Sequence, residues 1–162
     1  MLSSTVQEAM NKQINAELYS AYLYLSMAAH FEAANLRGMA HWMQIQAKEE
    51  VGHAMKFFKH VAERGGRVTL TAVAAPPAKW DAPQAVFAEV YKHECHVSSL
   101  IDKLAELAGA EKDHASAVFL QWFINEQVEE EANASEIVHQ LEMIGDSKQG
   151  LFMLDRHLAQ RQ

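Results

Sequence analysis

Gly66-Arg67-Val68-Thr69-Leu70-Thr71-Ala72-Val73-Ala74-Ala75-Pro76-Pro77-Ala78-Lys79-Trp80-Asp81-Ala82, a stretch in the middle of a 162-residue chain, decides the fold. It is β-branched, alanine-rich and proline-rich, and Pro83, the third and last proline of the chain, follows at once. Helical 3/4 periodicity lies on both sides of it but not within it. At ~3.3 Å per residue, residues 66–82 reach about 50 Å, whereas the helix predicted downstream, about 28 residues long, spans roughly 42 Å. The linker can therefore run the whole length of a bundle. The helices before it are joined by a short turn, as are those after it, so each pair forms an antiparallel hairpin. The crossover then makes the second and third helices parallel. A plain up-down-up-down bundle would not need such a connection.

Working outward, the periodicity predicts α1 over residues 4–34, α2 over 36–64, α3 over 82–109, α4 over 113–145 and a short α5 over 147–158. Ser4-Thr5-Val6-Gln7 reads as a capping box for α1, whose stripe is Met10, Ile14, Ala21, Tyr24, Ala28 and Phe31. The stripe of α2 is Met39, Met43, Gln46, Glu50, His53 and Phe57, and Gly65-Gly66 ends it. Asp81 is a candidate cap for α3, Asp113 for α4, and Ser147 opens α5. Along α4 the apolar face is Phe119, Phe123, Ile137, Leu141 and Ile144. The expectation is an all-α single domain: a four-helix bundle with a long crossover and a short fifth helix.

Composition narrows the function classes. A chain of this length buries a core without staples. One cysteine, Cys95, excludes an intrachain disulfide framework and a CxxC-built rubredoxin-type centre, and fits a reducing compartment. The expected location is the cytoplasm: residues 1–10 have no basic segment leading into an apolar run, and no stretch approaches the ~18 apolar residues of a membrane span. With 14 Lys and Arg against 21 Asp and Glu, the net charge of −7 disfavours nucleic acid and anionic membranes as partners and is compatible with cations.

The chemistry lies where carboxylates occupy leucine positions. The α3 stripe reads Phe87, Val90, Glu94, Val97, Ile101, Leu104, Ala108, interrupted only at Glu94. Glu17 stands between Ile14 and Ala21 on α1, Glu50 and His53 precede Phe57 on α2, and Glu126 and Glu130 lie between Phe123 and Ile137 on α4. Each falls near the middle of its helix, so the four helices would bring them into one layer. Unpartnered buried carboxylates cost several kcal/mol each or take up protons, and the stripes contain no Lys or Arg to neutralise them. Two divalent cations would balance Glu17, Glu50, Glu94 and Glu130. An oxygen-rich shell with one imidazole suits iron or manganese better than thiolate-preferring metals, and iron is the reading adopted. Tyr24, on the face of Glu17, fits either a core tyrosine or a hydrogen-bonding or redox group beside the metals. Glu49, about 100° around α2 from Glu50, and Glu129 read as a solvated face on periodicity alone. Cys95 reads as a small packed residue. His93, His96, Glu136 and His139 have metal-compatible spacings but lie off the stripes; with His30, His41, His60, His114 and His157 they read as surface or boundary residues.

With these residues in view, the chain resembles the bacterial non-haem ferritins along essentially its whole length. The resemblance rests on Glu17 with Tyr24, Lys48-Glu49-Glu50-Val51-Gly52-His53, Arg64-Gly65-Gly66, Trp80, Glu94 and Asn125-Glu126-Gln127-Val128-Glu129-Glu130. It implies a ferritin-like fold in which Glu17, Glu50 and His53 bind one iron and Glu50, Glu94 and Glu130 a second, with Glu50 bridging. It further implies a third iron site from Glu49, Glu126, Glu129 and Glu130, and Gln127 beside the second iron. The implied chemistry is oxidation of Fe(II) by O2 or H2O2 and deposition of a ferric oxo-hydroxide mineral inside a 24-subunit shell, with α5 at a fourfold axis. Asn133 stands where symmetric di-iron proteins carry a second histidine, which argues against bacterioferritins, rubrerythrins and manganese catalases. Val51 stands where bacterioferritins carry a haem-ligating methionine, so no haem is expected. Mini-ferritins lack both the intrasubunit ligand set and the fifth helix. A metal-free cytokine-type bundle would place apolar residues at positions 17, 50, 94 and 130.

Overall fold

The computed structural model describes residues 1–162, and helix is its only regular secondary structure. Its helices are α1 Ser4–Ala33, α2 Arg37–Glu63, α3 Pro83–Ala110, α4 His114–Ile144 and α5 Lys148–Leu158, each boundary within one residue of the periodicity. The caps differ in detail. Ser3 rather than Ser4 caps α1, its Oγ accepting from Val6 N at 3.3 Å. Gln7 does not complete a capping box, because its Oε1 accepts from Arg67 N at 2.8 Å. Asp81 does not cap α3: Ala82 takes that position without a side-chain bond, and Pro83 starts the helix, where a missing N–H costs nothing. Asp113 and Ser147 cap α4 and α5 as expected, accepting from Ser116 N and Gly150 N at 3.1 Å each. Gly65 ends α2 with φ +72, as a left-handed terminator should.

Membership of the two apolar clusters establishes the topology. One cluster holds Leu23 to Phe31 of α1, Met39 to Ala47 of α2, Val86 to Val90 of α3 and Ala134 to Leu141 of α4. The other holds Val6 to Ile14 of α1, Ala54 to Val61 of α2, Val97 to Ala108 of α3 and Leu120 and Phe123 of α4. Both α2 and α3 thus run from the first cluster to the second, while α1 and α4 run the other way. The parallel α2–α3 relation that the linker length predicted is present. On α4 the buried seam is Leu120, Phe123, Gln127, Glu130, Ala134, Ile137 and Leu141, with Phe119 and Ile144 half-buried at its margin.

The crossover forms no strand or helix, so its backbone polar groups need other partners. A ladder of exposed amides along α1 supplies them. Asn11 donates to Arg67 O at 3.0 Å and accepts from Thr69 N at 3.2 Å, and Asn15 donates to Ala72 O at 3.1 Å. With Gln7 these residues recur every four positions, one strip of helix surface gripping the extended chain.

The fifth helix docks on α2 through Leu154 and Leu158. Asp155 Oδ1 accepts from Met39 N at 2.8 Å, capping an α2 N-terminus that has no side-chain cap of its own. The approach is close enough that a Cβ at Gly38 would lie 1.6 Å from the Asp155 carbonyl oxygen. Gly38→Ala should therefore lose about 2–3 kcal/mol in chemical denaturation, with amide exchange showing α5 undocked. An unaltered midpoint would mean that α5 does not hold this position.

Candidate metal centre

Between the two apolar clusters lies a polar layer. Its limits are Ile14 and Leu23 on α1, Ala47 and Ala54 on α2, Val90 and Val97 on α3, and Phe123 and Ala134 on α4. Within it are Glu17, Glu50, His53, Glu94 and Glu130, none more than 5% exposed. Glu17, Glu50 and His53 offer ligand atoms close enough to share one cation, and so do His53, Glu126 and Glu130.

The hydrogen bonds explain how the side chains are held. His53 turns Nδ1 to Glu50 Oε2 at 3.1 Å and Nε2 towards Glu126 Oε1 at 3.8 Å. With Nε2 facing the half-buried Glu126, Nδ1 is the nitrogen left for the centre of the layer. Phe123 and Trp122 pack edge-on against the imidazole and fix its plane. Tyr24 donates to Glu94 Oε1, and Gln127 Nε2 donates to Glu94 Oε2 at 3.1 Å. Of the neighbours Glu126 and Gln127, the glutamine faces the layer and the glutamate lies at its margin. Two further amides have roles that the stripes left unassigned. Gln13 donates to Glu17 Oε1 at 2.8 Å, and Gln46 Nε2 donates to both Glu50 Oε1 and Glu130 Oε2 at 2.9 Å. Gln46 already stood in the α2 stripe and Gln13 four residues before Glu17, so each had a positional signal but no evident partner.

The remaining predicted residues lie further out. Glu49 and Glu129 are exposed and belong to neither ligand group, and Glu49 pairs with Arg161 at 2.7 Å. Cys95 is half-buried and outside the layer. His93 is half-buried, with Nε2 2.8 Å from Ser20 Oγ, and burial holds its pKa below the usual range. The stripes contain no Lys or Arg, but Arg161 reaches the layer's edge from beyond α5, where no stripe could reveal it.

Electrostatically, the layer is short of positive charge. Burial, then the charge of Glu50, raise the Glu17 carboxyl well above its ordinary range. The same two causes push Glu94 up to about 7, and burial with the charges of Glu94 and Glu50 pushes Glu130 up to about 8. Burial alone would lower His53, but the hydrogen bond to Glu50 and the surrounding carboxylates carry it above its usual value. Tyr24 is held well above 10 by burial and by Glu94. Glu17 Oε2 is buried without any hydrogen-bond partner, and a buried carboxylate oxygen is rarely left so. Protons are one remedy for such a cluster. Cations are the other, and the donor set of carboxylates plus one imidazole nitrogen fits iron chemically.

Comparison with known proteins gives a consistent result. The family model for the ferritin-like domain matches residues 7–144. A bacterial non-haem ferritin of Bacteroides fragilis is 45% identical over 161 residues, covering 99% of this chain and all of that one. One from Staphylococcus aureus is 35% identical, with 99% and 97% covered. Among solved structures, a novel open pore ferritin from the hyperthermophilic archaeon Archaeoglobus fulgidus superposes with a TM-score of 0.99 at 53% identity, both chains covered completely. With its polar layer, long crossover and docked fifth helix, the chain belongs to the ferritin family, and within it is similar to the bacterial non-haem ferritins.

Proposed function

We propose that this protein stores iron and that its polar layer is the ferroxidase centre that oxidises Fe(II) on the way into the store. The observation that carries the reading is the layer itself: four carboxylates and an imidazole, buried together between two apolar clusters, with one carboxylate oxygen unpartnered. In this reading Glu17, Glu50 and His53 take one Fe(II), Glu50, Glu94 and Glu130 take the other, and Glu50 bridges. Iron is the substrate, so the centre must fill and empty. Carboxylates suit that, because they bind Fe(II) and Fe(III) through oxygen and move with small torsional changes. Gln46 and Gln127 hold the second oxygens of their glutamates by N–H donation, which keeps these side chains aimed while a ligand bond forms or breaks. Each iron yields one electron, so a pair reduces O2 to H2O2, or H2O2 to water. Tyr24, bonded to Glu94, is placed to steady the second iron's ligand.

Glu49, Glu126, Glu129 and Glu130 form an outer, weaker cation site through which iron leaves for the mineral. The reading includes a homo-oligomeric shell of 24 subunits with a ferric oxo-hydroxide core, located in the cytoplasm. Exposed apolar side chains such as Phe152 and Met153 on α5 and Tyr22 and Leu25 on α1 are consistent with burial between subunits. No helix is long and apolar enough to cross a membrane. The test is stopped-flow absorbance of metal-free protein mixed with Fe(II) in aerated buffer. A fast phase that saturates at two irons per chain, followed by slow growth of a broad ferric oxo band and electron-dense cores, is the expected result. Oxidation no faster than in buffer would remove the ferroxidase reading.

A further inference from the structure

Arg161 lies two residues beyond the α5 C-cap, outside any helix, yet it is fastened at several points. Its Nη2 donates to Gln46 Oε1 at 2.8 Å and to Glu49 Oε2 at 2.7 Å, and Nη1 donates to Trp42 O at 3.3 Å. The guanidinium lies over the Trp42 ring, 4.3 Å from its centroid. Its backbone oxygen is 2.8 Å from His41 Nε2. Positions 42, 46 and 49 share one face of α2, and the docking of α5 through Asp155 aims the tail along that face.

Gln46 links this arrangement to the layer. Its amide nitrogen serves Glu50 and Glu130, which leaves its oxygen directed outward for Arg161 to satisfy. The guanidinium is thus anchored at Gln46 and Trp42 and extends one arm to Glu49. A guanidinium and a divalent cation cannot both use the same Glu49 oxygen, and their charges repel.

We propose that Arg161 is a latch on the outer cation site: it holds Glu49 in the metal-free chain and must yield it before a cation can bind there. The proposal rests on the reading above, in which Glu49 serves an outer site. Because coupling between two binding events is reciprocal, a cation at Glu49 loosens the C-terminal tail, and the tail weakens the cation. The two inner ions do not use Glu49, so the latch reaches them only indirectly, through Gln46. Arg161 is a positioning residue here, not a catalytic one.

The experiment is calorimetric titration of the assembled, metal-free protein with Zn(II), a redox-inert probe, in the wild type and in Arg161→Ala, Arg161→Lys, Glu49→Gln and the double variant Glu49→Gln/Arg161→Ala. Two tight events and one weaker event per chain are expected in the wild type. Arg161→Ala should tighten the weaker event by about 1.5- to 5-fold, the range for a partly exposed ion pair, and should not tighten the two tight events. Arg161→Lys should fall between. In the Glu49→Gln background, removing Arg161 should change nothing further. A weaker event that Arg161→Ala leaves unchanged or weakens, or that responds equally in the Glu49→Gln background, overturns the latch. Absence of the two tight events would instead count against the di-metal centre. In that case hydrogen exchange at residues 159–161 of the metal-free protein decides the latch alone. Glu49→Gln and Arg161→Ala should speed exchange alike, and unchanged exchange in Glu49→Gln overturns it.

Discussion

In Glu50→Ala the fast phase of Fe(II) oxidation should fall by at least about 100-fold while the bundle stays folded. Glu50 is the one carboxylate that touches most of the layer: it meets His53 directly, receives Gln46, and its charge raises Glu17, Glu94 and Glu130. If it bridges two irons, its loss removes a ligand from both. Loss of a group that merely supports a ligand already costs 10–100-fold in many metal sites, so a shared ligand should cost more. The effect on folding has the opposite sign. In the metal-free protein Glu50 adds a buried negative charge to a cluster already short of cations, so its removal relieves like-charge repulsion that offsets the cavity left behind. The variant should melt no lower than the wild type at pH 8 without metal, and should lose the stabilisation that metal gives. Stopped-flow absorbance and calorimetric melting read both effects. Wild-type oxidation rates in a folded Glu50→Ala would contradict the bridge.

The second large effect is on pH dependence. Glu94 and Glu130 start from an ordinary carboxylate value of 4.5 and are raised to about 7 and about 8 in the folded chain. A carboxyl that holds its proton more tightly when folded stabilises the fold fully below the unfolded value, and that contribution is lost as pH rises through the folded value. The metal-free protein should therefore lose stability, on the order of several kcal/mol, between about pH 5 and pH 8. Divalent metal should reverse the trend, because cations replace those protons. At pH 7, adding two equivalents of Fe(II) anaerobically should release about two protons per chain, measurable in a pH-stat. Metal-free stability that stays flat from pH 5 to pH 8 would mean that the layer is less buried or better compensated than its geometry indicates.

How much of this was legible in the sequence follows from the kind of signal each residue carries. Glu94 stood out because every other position of its stripe is apolar, and the same contrast marked Glu17, Glu50 and Glu130. The crossover was legible from its length and prolines. The Gln7-Asn11-Asn15 ladder was not, since amides on an exposed helix face look the same whether they grip a linker or face water. Periodicity put Glu126 rather than the adjacent Gln127, about 100° away, on the α4 stripe; packing instead turns Gln127 onto Glu94 and leaves Glu126 half-buried beside His53. Arg161 carried no pattern at all, being two residues beyond the α5 C-cap, and its placement depends on how α5 docks. The capping box was read from Ser4 and Gln7, but Ser3 holds the α1 cap and Gln7 is engaged by Arg67 rather than by the helix start.

Whether the layer holds two irons can be seen in a crystal of the metal-free protein soaked anaerobically with Fe(II), with anomalous scattering recorded on both sides of the iron edge. Two iron peaks per chain are expected inside the layer between the apolar clusters, one ligated by Glu17, Glu50 and His53, the other by Glu50, Glu94 and Glu130, with Glu17 Oε2 no longer unpartnered. Iron found only at surface carboxylates, with the layer left metal-free, would contradict the di-iron reading.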